Sequence, residues 1–119
     1  MEKRNRDPLL FLEDIRDAIE RIEVHTILGK EEFFDNPTIQ DAVLFRLQTI
    51  GEAANQLPEE IKVKCPDIPW KKIIGFRNVT AHTYWRIDMN TVWVIIESGE
   101  LAILKIAVQK LIDELTASS

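Results

Sequence analysis

Ile39, Val43, Leu47, Ile50, Ala54 and Leu57 recur at spacings of three and four between Asn36-Pro37 and Pro58. That period puts one apolar stripe along an α-helix and cannot line one face of a strand. Asn36 is suited to cap the helix and Pro37 to occupy its first turn, while Pro58 ends it. The same grammar opens the chain. Asp7-Pro8 is a start signal, Leu12, Ile15, Ile19 and Ile22 form a stripe, and Gly29 is a plausible stop. A short helical turn is expected to follow Pro58 through Val63. Pro69-Trp70 opens a third helix. Asp88 caps a fourth, carried nearly to the end by Val92, Ile95, Ile96, Ile103, Leu104, Ala107, Val108, Leu111 and Leu115, with Thr116 to Ser119 frayed.

No segment sustains period-two alternation, and only four glycines and five prolines punctuate 119 residues. The expectation is an all-α, up-and-down four-helix bundle with a short extra helical turn, forming a single domain over residues 1–119. The fourth helix carries apolar residues, Trp93 among them, on more than one face. A stripe that wide fits either a well-buried helix or a second packing surface, hence a homodimer.

Charge narrows the function. The net charge is −5, so bulk electrostatics do not attract nucleic acid. Contact with nucleic acid would need a local basic patch or a neutralising partner surface, and Lys3-Arg4-Arg6 and Lys71-Lys72-Arg77 are the basic clusters. Cys65 is alone, which rules out an intrachain disulfide. The early apolar run is interrupted by Glu13 and Asp14, and the run from Val92 to Ile96 is too short to span a bilayer. A cytoplasmic protein with no membrane partner is therefore expected. Two histidines without H-x-x-x-H spacing give no zinc site, and there is no glycine-rich phosphate loop. No metal or cofactor is expected. Glu59-Glu60 reads as a solvated helix start and His25 as a structural residue near a helix end.

One stretch concentrates reactive groups: Arg77-Asn78-Val79-Thr80-Ala81-His82-Thr83-Tyr84, with the chain's sole tyrosine. If the third helix runs unbroken, Phe76, Val79 and Thr83 face the core. Asn78 and His82 then stack four apart, and Tyr84 returns near Arg77. Trp70, Ile74 and Ala81 share the face away from the core. Arg77 and His82 would stand about 140° apart at roughly 100° per residue. A dimer interface would help them converge. An arginine forks onto phosphate oxygens, and an imidazole exchanges protons near neutrality. The plainer possibility, that Arg77 pairs with an acid and His82 caps a helix end, stays open on these residues alone.

At these positions the sequence resembles the HepT-like branch of the HEPN superfamily, whose R-x4-H-x-Y signature is matched by Arg77, His82 and Tyr84, with Asn78 after the arginine. Asp7-Pro8, Ile50-Gly51-Glu52-Ala53-Ala54, Ile68-Pro69-Trp70 and Val92-Trp93 resemble further family phrases in the same order, over nearly the whole chain. The resemblance implies a helical homodimer and a metal-independent endoribonuclease toxin of a type VII-like pair. Its substrate would be RNA, with tRNA a candidate. Arg77 and His82 would be catalytic, Asn78 supporting. The implied partner is a cognate minimal nucleotidyltransferase antitoxin of the MntA type, which silences the toxin by AMPylation of Tyr84. Trp85 and Arg86 stand where smaller residues are common in the family, and either contact RNA or serve packing and solvation. Glu52 is expected in a structural ion pair. The alternative is a non-catalytic nucleotide- or partner-binding helical module, which the acidic balance favours.

Overall fold

Asp7 and Asn36 both act as the caps their proline neighbours announce. In the computed structural model, which describes residues 7–78 and 88–117, α1 runs Pro8–His25 and α3 runs Pro37–Gln56. Asp7 Oδ1 accepts from the Leu9 amide at 2.9 Å, and Asn36 Oδ1 accepts from the Thr38 and Ile39 amides at 3.0 and 3.3 Å. Each cap satisfies amides that no preceding helical turn could. The short α4, Glu59–Lys62, and α5, Trp70–Gly75, begin where their prolines place them. A 3-10 turn, Phe76–Asn78, continues from α5. The last two helices are α6, Met89–Glu97, capped by Asp88, and α7, Glu100–Ala117. All the regular structure among the described residues is helical.

Three expectations are corrected. First, α1 stops at His25, where the Thr26 amide and hydroxyl both donate to the Ile22 carbonyl. Gly29, at φ 93°, instead precedes an unexpected helix, α2, Lys30–Asp35. That helix is too short for periodicity to reveal and is held by packing. Phe33 is fully buried, 5.3 Å edge-on from Phe34 and 5.2 Å from the Trp93 ring. Gln40 on α3 closes α2 by donating to the Phe33 and Phe34 carbonyls at 3.0 and 3.1 Å. Second, the fourth helix is two helices. Gly99 at φ 90° breaks it, and Ser98 Oγ accepts from the Glu100 amide at 3.2 Å to start α7. Third, Thr116 and Ala117 belong to α7, with Thr116 Oγ1 donating to the Ile112 carbonyl at 2.9 Å.

The core lies among α1, α3 and α7. Leu12, Ile15 and Ile19 of α1 meet Val43, Leu47 and Ile50 of α3 and Leu104, Val108 and Leu111 of α7 in one buried cluster. Each such side chain contributes about 1.5–3 kcal/mol on leaving water, set against the entropy of ordering the chain. The α5 helix and the turn after it lean on α3. Lys105 ties α7 to Glu23 of α1 at 2.9 Å, and Lys72 ties α5 to Glu100 of α7 at 2.9 Å.

Candidate functional site

Gly51 sits buried in the middle of α3, facing the backbone of the 3-10 turn. A Cβ at this position would collide with the Arg77 backbone nitrogen and come within 2.9 Å of the Arg77 Cα and Cβ. The turn therefore fits against α3 only because residue 51 has no side chain. Phe76, only 4% exposed, plugs the core beside it, so the flanking residues are anchored while Arg77 stays half-buried and Asn78 exposed. No acidic side chain among the described residues pairs with Arg77. The ion pair that would make it merely structural is absent from that set. A cation held on a closely packed turn and unpaired among the described residues is well placed to receive a phosphate.

The unbroken wheel is corrected here. The α-helix ends at Gly75 and the chain tightens to 3-10 geometry through Asn78, so the angle of about 140° expected at α-helical pitch does not transfer. One part of that reading holds, since Phe76 faces the core. Trp70 and Ile74, expected on the face away from the core, are partly buried and pack against it, beside the fully packed Ile73. His82 and Tyr84 lie outside the described residues, as do Val79, Ala81, Thr83, Trp85, Arg86 and the Lys3-Arg4-Arg6 cluster.

The second basic cluster is divided by the fold. Lys72 is spent on Glu100, whereas Lys71 is exposed beside Trp70. The Trp70 indole nitrogen donates to the Lys62 and Cys65 carbonyls, both at 3.0 Å, which fixes the ring. Burial raises the Cys65 thiol above its ordinary pKa, against the lowering pull of Lys110, so the thiol stays protonated and is a poor nucleophile near neutrality. Glu52 is exposed and makes none of the ion pairs among the described residues, so the structural pair expected of it is not found there. Among the described residues no group of histidine, cysteine and carboxylate side chains is arranged to hold a metal ion, and no helix is long and apolar enough to cross a membrane. Sequence reasoning quoted Gly51 without its role. A glycine inside an apolar helical stripe was the available signal, since such a residue marks close backbone approach.

The ribonuclease HepT-like family model matches residues 15–111, a span that holds Arg77, Asn78, His82 and Tyr84. The chain belongs to the ribonuclease HepT-like family. Its relatives include a Methanocaldococcus jannaschii protein, MJ1380, provisionally named an RNase, which is 37% identical over 93 residues, 77% of this chain and 85% of that one. A Thermococcus cleftensis protein named Probable ribonuclease HepT is 35% identical over 94 residues, 78% of this chain and 83% of that one. A third relative, from M. jannaschii, joins a gamma-glutamylcyclotransferase to a provisionally named RNase. It is 32% identical over 111 residues, so the chain spans 50% of that protein's length. No solved structure matches the chain. Membership places the HepT-like chain in a ribonuclease family, in line with the enzyme class and the all-α fold expected from its sequence.

Proposed function

We propose that the chain is a metal-independent endoribonuclease and the toxin of a type VII-like pair, with Arg77 and His82 as catalytic residues and Asn78 in support. The observation that carries this reading is the Gly51-backed turn, which presents Arg77 without a described acidic partner inside a HepT-like domain. In RNA the nucleophile is the substrate's own ribose 2′-hydroxyl. His82 takes its proton as the oxygen attacks the neighbouring phosphorus, and the bond to the 5′-oxygen breaks. The proton returns to that leaving oxygen, giving a 2′,3′-cyclic phosphate and a 5′-hydroxyl. Arg77 stabilises the extra negative charge on the phosphate oxygens in the transition state. Asn78 orients the imidazole or adds a donor.

A homodimer would bring two such sites together. The exposure of Val94 on α6 and of Ile103 and Ile106 on α7 supports a second packing surface. The cognate nucleotidyltransferase would silence the site by attaching AMP to Tyr84, where anionic nucleotides would occupy and neutralise the phosphate-binding surface. The setting is the cytoplasm, where RNA and ATP are both available.

The test uses protein purified alone and protein made with its partner. Unmodified protein should cleave RNA, tRNA included, in EDTA. Arg77→Ala and His82→Ala should each slow cleavage by at least about a hundredfold, and the co-produced protein should be heavier by whole AMP units at Tyr84 and inactive. Undiminished cleavage by both variants would overturn the assignment. Nucleotide binding without cleavage would favour the non-catalytic module, a reading the net charge of −5 also suits.

A further inference from the structure

Beside α5 lies a groove of about 360 Å³ that the cleavage chemistry does not use. Trp70, Ile74, Val63 and Pro66 supply its apolar wall, and Lys62 and Lys71 its cations. We infer that this groove is a nucleotide subsite, which stacks a base of single-stranded RNA on Trp70 and holds the adjoining phosphate with Lys62 and Lys71.

Three observations lead there. The first is Lys62. Its stem is packed, with the side chain only 9% exposed, and among the described residues the carboxylate paired with its ammonium is that of Glu59, 3.5 Å away and itself 85% exposed. So solvated an acid holds the ammonium weakly, and a phosphate would be a better counter-charge for it. The second is Trp70. With its N–H spent on two backbone carbonyls, the indole cannot swing, and a fixed ring is a ready stacking platform. The third is charge. In a chain of net charge −5, this groove sets two lysines against one glutamate, so locally it favours an anion.

Position ties the groove to the proposed cleavage site. Trp70 and Ile74 lie on α5 and Arg77 on the 3-10 turn that continues from it, and all three are partly exposed. Seven residues separate Trp70 from Arg77, about 10 Å of helical rise, the length of roughly three stacked nucleotides. A strand laid from the groove to the turn would place its scissile phosphate at Arg77 and a neighbouring base on Trp70. The subsite therefore rests on the RNA-cleaving reading and adds to it a preference for unpaired RNA.

The test uses two probes that cannot be cut, 5′-AMP and a 2′-O-methyl trinucleotide, titrated against the full chain with tryptophan fluorescence as readout. Both should quench emission, and Trp70→Phe should remove most of the quench. Lys71→Ala and Lys62→Met should each weaken trinucleotide binding by about tenfold, with unchanged helicity by circular dichroism. Glu59→Gln should tighten it roughly threefold, because the phosphate no longer competes with a carboxylate. Opposite signs from Lys62 and Glu59 are not expected of a purely structural pair. Unchanged affinity in both lysine variants would overturn the subsite, as would quenching that persists in Trp70→Phe. So would loss of self-association in Lys71→Ala with nucleotide binding intact, which would make the groove a seat for a second copy. If Arg77→Ala abolishes RNA cleavage while the lysine variants bind and cleave normally, the subsite fails and the nuclease stands. If the probes bind as described and the unmodified chain cleaves nothing, the subsite stands and the nuclease fails.

Discussion

At the scale of single residues, Gly51 and Arg77 act as one unit across two elements. Alanine is the better helix former, by about 0.5–1 kcal/mol in a helix interior. At position 51 that gain is outweighed, because the added carbon meets Arg77 backbone and not a flexible side-chain tip. Gly51→Ala should cost about 1–3 kcal/mol of stability by urea unfolding. It should also lower RNA cleavage far more than that loss of folded protein explains, since the displaced turn carries Arg77. Equal, small effects on both would show that the turn adapts freely. Half of this unit was legible in the sequence. The chemistry of Arg77 and its motif stands out in one dimension, but the steric need for glycine arises only when residues 51 and 77 are brought into contact by the fold.

At the scale of elements, the long helices were legible because each carries its own cap and stripe. Asp7, Asn36 and Asp88 cap where expected, and α3 keeps its predicted course from Pro37 to Gln56. The failures have a common physical cause. Where tertiary contacts supply what local sequence lacks, as Phe33 and Gln40 do for α2, no period announces the helix. Where an apolar stripe is strong, as from Val92 to Leu115, it hides a local stop. Ser98-Gly99 is a legible cap-and-break pair that the stripe overrode. The Asn36 cap serves two helices, because its Nδ2 also donates to Glu32 Oε2 of α2 at 3.0 Å. Asn36→Ala should therefore cost about 1–2 kcal/mol by urea unfolding, toward the upper end for a lost cap. A change near zero would show that α2 and α3 are positioned by packing alone.

At the scale of the whole molecule, the protein is acidic and its RNA-facing charge is confined. Lys72 is neutralised by Glu100, which leaves Lys71 and Arg77 unpaired among the described residues, with Lys62 of α4 joining them where a phosphate displaces Glu59. Three contacts at about −0.7 per phosphate give a slope near −2 for log affinity against log salt with single-stranded RNA. Affinity measured between low and physiological salt checks this, and a slope steeper than about −4 would mean that more cations, from elsewhere in the chain or from a second copy, reach the strand. The close fit of Gly51 against the Arg77 turn has a practical side as well. Were the chain the toxin proposed above, a cell producing its active form would be harmed, which limits how much can be made. A single methyl group placed at residue 51 is then expected to leave every proposed catalytic side chain in the sequence and still weaken the enzyme, giving a less harmful variant for its preparation.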